Sequence, residues 1–257
     1  MGNRTRNRRK KKPILTPNQP LVKYGVLSFN SIGYGNPTIN QHLAMGNTGI
    51  LDNLLPDLYT HQFPSNESDE TLSELKYIKT KLGRLKTRET YEECVAIDVD
   101  LSRYIEEISK RLGIEGVSDL IADVNESFLE SLVTKTKFHF NRARPSQLSF
   151  YFVNQEELNP LKSCSSMSPS YPSGHALEAL VIGDILIHHF PAQKDVLETL
   201  QRRVCISRII IGAHYPSDNE FSRHIAEKIK QSPLIEEKYY TKEWDSLMTE
   251  INRDVPE

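Results

Sequence analysis

Long apolar runs are missing from this chain. The longest mainly apolar stretch, residues 176–187, is interrupted by Glu178 and Asp184 and falls short of the about 20 residues that a membrane-spanning helix needs. Cysteine is scarce as well. Cys94, Cys164 and Cys205 are widely spaced, odd in number and without a CxxC pair, which argues against a disulfide framework and a zinc site and fits a reducing compartment. With 12 glycines and 14 prolines in 257 residues the chain is neither collagenous nor of low complexity, while 38% hydrophobic residues suffice for an ordinary core. Strand-like signals are nearly absent, being confined to residues 148–153, and there is no internal repeat.

Charge is present but uneven. The formal net charge is -2, yet residues 1–12 hold seven Lys or Arg and no acid, so the remaining 25 cations face all 34 Asp and Glu. An acidic body argues against broad binding to a nucleic-acid backbone. Residues 1–20 read as a disordered basic tail that is able to touch anionic surfaces, with Arg8-Arg9-Lys10-Lys11-Lys12 also resembling a nuclear import signal. No apolar segment follows this start, so a secretory signal is not expected and a cytoplasmic location is, with the nucleus as the option the tail leaves open.

What the chain does have is helical periodicity. Ser68-Asp69-Glu70 opens a helix to about Leu82, and a second starts at Thr90 and runs through Val95, Ile97, Leu101, Tyr104 and Ile108. A third begins near Ser118 and breaks before a fourth, which starts at Asn125 and runs toward Pro145, whose ring ends it. Later helices fit residues 175–189, 193–211, 217–231 and 241–252, whereas residues 13–65 read as an extended arm and loops. Residues 21–257 are thus expected to form a single all-α domain, a helical bundle.

Three blocks carry chemistry. In Pro172-Ser173-Gly174-His175 a tight turn feeds a helix start, whose unpaired N–H groups and positive dipole end make an anion cradle. Lys137 and Arg144, seven residues apart and followed by Pro145, return to one face of a continuous helix, where two long cations can converge. Arg208 and His214 fall about 240° apart on such a helix, so a shared site demands a break, which Gly212 supplies before Pro216 reopens a helix. Asp218 is four residues beyond His214, near enough to orient one ring nitrogen and leave the other as nucleophile or base. Singly, these are also what a helix cap, a solvated basic helix end and a buried arginine look like. Together they supply three cations, two histidines, an amide cradle and a carboxylate, a set suited to a phosphoryl dianion and unsuited to a metal, because Lys and Arg accompany both histidines.

Written as Lys-x6-Arg-Pro, Pro-Ser-Gly-His and Ser-Arg-x5-His-x3-Asp, the blocks span residues 137–218 and resemble the type 2 phosphatidic acid phosphatase and vanadium haloperoxidase superfamily. The resemblance implies an all-α bundle of the acid phosphatase/vanadium haloperoxidase type and a soluble, metal-independent hydrolysis of phosphomonoesters through a phosphohistidine, with a small phosphorylated molecule as substrate and no cofactor. By the same resemblance His214 is the nucleophile, Asp218 its orienter and His175 the acid for the leaving oxygen; Lys137, Arg144, Arg208, Ser173 and the amide of Gly174 hold the phosphoryl oxygens. The chain departs from the soluble bacterial acid phosphatases in having Ala176 and Tyr215 where those usually carry Thr and Trp. Ala176 is more like the haloperoxidases, so a vanadate-dependent haloperoxidase is the alternative, and a non-catalytic phosphate-binding protein of the same fold is another.

Overall fold

In a computed structural model of the protein, the described residues are 32–149, 151 and 158–241. The expected basic tail and all but Thr241 of the expected helix at 241–252 lie outside them. Among the described residues the chain is built from helices, with a single isolated bridge between Gly33 and Arg142. The expected all-α architecture is therefore what the chain adopts.

The helices are α1 (Ile39–Gly46), α2 (Leu55–Leu58), α3 (Asp69–Leu82), α4 (Arg88–Val99), α5 (Leu101–Arg111), α6 (Val117–Val124), α7 (Glu130–Phe140), α8 (Pro145–Ser149), α9 (Gly174–His189), α10 (Lys194–Ile210), α11 (Pro216–Lys230) and α12 (Pro233–Tyr239). Their starts follow local chemistry. Ser68 Oγ accepts the N–H of Thr71 at 3.1 Å and opens α3, and Asp100 accepts the N–H of Arg103 at 3.0 Å and opens α5, each supplying an acceptor for an amide that has none within its helix.

Four expectations are corrected. The helix read from Thr90 to Ile108 is two, because Asp100 takes φ -153°, ψ 85° in order to cap the second. The break read before Asn125 does not occur: residues Asn125–Leu129 form one wide π turn that carries α6 into α7 without leaving helical backbone. Residues 32–65 are not all arm and loop, since α1, closed by a reciprocal Thr38–Gln41 capping box, and α2 fall there. Leu148 and Ser149, read as the start of a strand, lie in α8.

The core forms around α9. Ala176, Leu177, Ala179, Leu180, Val181, Ile182, Ile185 and Leu186 are all buried, so most of this helix is turned away from water, as befits the central helix of a bundle. Helices α10 and α11 pack along it, and Gln201 of α10 donates to Leu180 O and Asp184 Oδ1, both at 3.1 Å, tying the pair by polar contacts as well. Each fully buried Leu or Ile here contributes about 1.5–3 kcal/mol. The start of α9 is thereby held rigidly, and the chemistry-bearing residues gather at that end.

Candidate phosphoryl-binding site

Each block reaches the site by its own local route. Gly212 takes φ +75° and stops α10, after which the N–H groups of Ala213 and His214 fold back onto Arg208 O at 3.1 and 3.2 Å. Pro216, which lacks an N–H to lose, then starts α11. The expected break between Arg208 and His214 is present, and it brings the two side chains to one place. The relation between Lys137 and Arg144 arises differently from the expected shared helix face. Helix α7 ends at Phe140 because Asn141 is left-handed at φ 48°, so Arg144 sits in the following loop, and Pro145 begins α8 rather than ending α7. The chain reversal at Asn141 aims Arg144 back toward Lys137.

Lys137, Arg144, Arg208, Ser173, His214 and Asp218 are all buried, and Gly174 and His175 are partly so. A Cβ built on Gly174 lies 3.9 Å from Lys137 Cε, which puts the lysine beside the start of α9. Lys137 Nζ donates to Pro169 O at 2.6 Å, and Arg144 Nε to Ser168 O at 2.8 Å. Arg144 NH1 reaches His214 Nε2 at 2.8 Å and Ala213 O at 2.9 Å. On the other ring nitrogen, His214 Nδ1 lies 3.1 Å from Asp218 Oδ2. A carboxylate only accepts and a guanidinium only donates, so this arrangement calls for the neutral ring with its proton on Nδ1 and its lone pair on Nε2.

Arg208 is anchored by only one of its nitrogens. NH2 donates to Asp98 Oδ1 at 2.8 Å and to Ser165 Oγ at 2.7 Å, while Nε and NH1, both buried, have no partner among the described residues; the same holds for Ser173 Oγ. Buried polar atoms without a partner are costly and rare. Three of them beside the open amide end of a helix amount to a set of donors lacking an acceptor.

The electrostatics agree. Burial, and next Arg144, hold the Lys137 ammonium well below its ordinary value, with Asp218 pulling the other way. Burial lowers Arg144 to about 10, against the opposing pull of Asp218. Burial and then the three cations hold His214 well below 6.5, and burial followed by Arg208 lowers His175 to about 3, only partly offset by Asp98. Both rings are neutral at pH 7 because added positive charge is unwelcome there.

Three charged residues that motif spacing did not single out complete the site. Asp98 of α4 holds Arg208 and also accepts from Ser163 Oγ at 2.7 Å and Ser165 Oγ at 2.8 Å. Arg142, buried between the first block's two cations in sequence, donates to Asp218 Oδ1 at 2.6 Å, and Glu74 of α3 accepts from Arg142 NH2 at 3.1 Å. A signal for Glu74 was available: it shares the apolar face of α3 with Thr71, Leu75 and Ile78, where an unpaired acid has no place. His139, by contrast, stacks on Tyr59 with ring centroids 3.7 Å apart. Tyr34 donates to Ser166 O at 3.3 Å and lines a cavity of about 310 Å³ that also borders Arg144, Lys162 and Ser163. Cys94 and Cys205 are buried free thiols. Among the described residues no helix is long and apolar enough to cross a membrane.

No curated protein matches the chain. The family model described as the PAP2 superfamily matches residues 124–227, a segment that holds all three sequence blocks.

Proposed function

We propose that the chain is a metal-independent phosphatase that hydrolyses phosphomonoesters through a phosphohistidine at His214. The match of residues 124–227 to the PAP2 superfamily supports phosphoric ester hydrolysis as the general class of activity. The observation that carries the finer reading is the trio of buried, unpartnered donors, Arg208 Nε, Arg208 NH1 and Ser173 Oγ, gathered with the Nε2 lone pair of His214. An oxyanion with three equatorial oxygens offers such donors their acceptors and matches the positive charge of Arg208 as well.

In this reading Lys137, Arg144, Arg208, Ser173 and the Gly174 amide hold the phosphoryl oxygens. Nε2 of His214 attacks phosphorus as the bond to the leaving oxygen breaks, the proton of His175 passes to that oxygen, and Asp218 holds Nδ1–H and the growing charge on the ring. Water then attacks phosphorus, passes a proton to the His175 ring that had lost one, and releases phosphate and His214. Phosphoryl transfer passes through a loose transition state that asks for little beyond placement and charge, and both are supplied by groups already buried and aimed. Arg144 must move off Nε2 as phosphorus approaches, exchanging a ring nitrogen for a phosphoryl oxygen.

Labelled phosphoenzyme, trapped by acid-free quenching from a chromogenic aryl phosphate substrate without added metal, tests this. Label is expected on the wild type and not on His214→Ala. Label that persists in that variant excludes the nucleophile, and phosphate binding with no turnover by the wild type makes the chain a binding protein instead.

A further inference from the structure

We propose that Arg142, braced by Glu74, is a positioning residue of the site, holding Asp218 ionised and aimed so that His214 keeps its proton on Nδ1. The word positioning rests on the phosphatase reading above; the geometry does not. The two oxygens of Asp218 have separate tasks. Oδ2 accepts from His214 Nδ1 at 3.1 Å and from the Tyr215 N–H at 2.9 Å, while Oδ1 accepts from Arg142 NH1 at 2.6 Å. The same NH1 donates to Ser217 Oγ at 2.8 Å, and NH2 donates to Glu74 Oε2 at 3.1 Å. Glu74 Oε1 in turn accepts the N–H of Ser217 at 2.6 Å, which fixes it to the first turn of α11, the turn that carries Asp218.

The guanidinium is held in its plane as well as by its charge. Its central carbon lies 3.9 Å from the Tyr215 ring centroid and 5.1 Å from that of Phe63, and its side chain is 1% exposed. A planar fork with five donors suits this double ion pair; an ammonium does not. The consequence for chemistry follows from solvation. A fully buried carboxylate is pushed toward its protonated form by burial, and Arg142 is the strongest opposing influence. A protonated Asp218 donates instead of accepting, which turns the His214 ring to the tautomer with its proton on Nε2, where a nucleophile needs a lone pair. A fixed cation opposite His214 also leaves Asp218 a holder of the ring rather than a taker of its proton. Toward Asp218 face the cations Arg142, Arg144 and Lys137, the acid Glu74, and the ionisable Tyr171 and Tyr215, besides His214 itself.

The two braces act with opposite sign. Arg142 favours ionised Asp218, whereas Glu74, an acid beside an acid, disfavours it. The test is histidine nitrogen NMR of ¹⁵N-labelled protein between pH 5 and 8, the His214 signal being identified by its absence in His214→Ala, alongside the pH profiles of kcat and KM. In Arg142→Met the pH below which the Nδ1–H tautomer is lost is expected to rise, and kcat to fall about 10–100-fold, the usual effect of removing a group that orients a functional side chain, with KM little changed. In Glu74→Gln that pH is expected to move down, and Arg142→Lys is expected to restore part of kcat. A tautomer and pH profile that stay put in both Arg142→Met and Glu74→Gln overturn the proposal. If Arg142→Met does not fold, Glu74→Gln and Arg142→Lys decide it: a tautomer unmoved in both overturns it, and a downward shift in Glu74→Gln supports it. Tautomer shifts without turnover by the wild type overturn the phosphatase reading and leave intact only the hold of Arg142 on Asp218 and on the His214 tautomer.

Discussion

Arg144 NH1 stands 2.8 Å from His214 Nε2 and 2.9 Å from the carbonyl of the neighbouring Ala213. A guanidinium has no lone pair to offer, so the contact is possible only while Nε2 is unprotonated. The ring proposed as the nucleophile is therefore kept in the form that can attack, and the cation that keeps it so is one that an incoming phosphoryl group would engage.

Two donors of Arg208, Nε and NH1, lack a partner among the described residues, and Arg208→Lys keeps a charge for Asp98 while removing the fork. Loss of one such donor costs about 2.7–4 kcal/mol in the transition state, so kcat of the variant is expected to fall by about 10²–10³ with the fold retained. Steady-state kinetics and a circular dichroism melt check this. A variant with wild-type kcat removes Arg208 from the phosphoryl clamp.

Activity is expected to decline toward alkaline pH. In the proposed reaction His175 carries a proton when the leaving oxygen departs, yet burial and Arg208 lower it to about 3, so the proton has to arrive with the substrate or be taken up as the dianion binds. The His214 ring, held well below 6.5, stays available as a base in mild acid. A bell-shaped profile of kcat/KM with its maximum on the acidic side follows. A monotonic rise from pH 5 to pH 9 contradicts the assigned roles.

Stability should run the other way on the acid side. The unfolded chain protonates His175 near 6.5, the folded chain only near 3, so between these values the unfolded state binds more protons. The stability from keeping the ring neutral is fully present above pH 6.5 and is lost as pH falls below it, by about 1.4 kcal/mol per pH unit for one such group. Tm is expected to drop between pH 6.5 and 4.5, less steeply in His175→Gln, and to be partly restored by inorganic phosphate or vanadate. A Tm that is flat across this window in the wild type refutes the charge argument.

Gly212 is required for its backbone. At φ +75° a side chain is strained, and its Cβ would stand 3.0 Å from Pro160 Cβ, so Gly212→Ala is expected to destabilise the fold by about 1–3 kcal/mol. Because the same turn carries His214, kcat should fall as well. Thermal melts with kinetics on the remaining folded fraction test both, and an alanine variant equal to wild type in each would show the turn to be tolerant.

Helices were legible where capping and periodicity agreed, as at Ser68 for α3, and along the mainly apolar α9. They were misread where one residue outweighed the pattern. Asp100 satisfies an orphan amide and so divides a periodic run, and the wide turn at Asn125 lets helical hydrogen bonding continue where a break was expected. Helices α1 and α12 are too short for periodicity to register, whereas Leu51, Leu54, Leu55 and Leu58 carry the i, i+3, i+4, i+7 spacing behind α2, masked by the Asn and Pro beside them.

The site was legible as a list of residues and partly misread as geometry. Lys137 and Arg144 converge, but through the left-handed Asn141 and a chain reversal instead of a shared helix face. Glu74, Asp98 and Arg142 have no fixed spacing to the histidines, because their partners lie 68, 110 and 76 positions away at Arg142, Arg208 and Asp218 respectively.

By itself the amino-acid sequence determined the helical class, the apolar helix at the centre, and the inventory of cations, histidines and carboxylate that suits a phosphoryl group, since these follow from local backbone preferences and the charge of each side chain. Only the tertiary structure decided that buried cations outweigh the acids around two neutral rings, that Arg208 keeps two donors unused, and that Arg142 and Glu74 flank Asp218. Burial and long-range ion pairing set those properties, and both depend on which distant segments the core brings together.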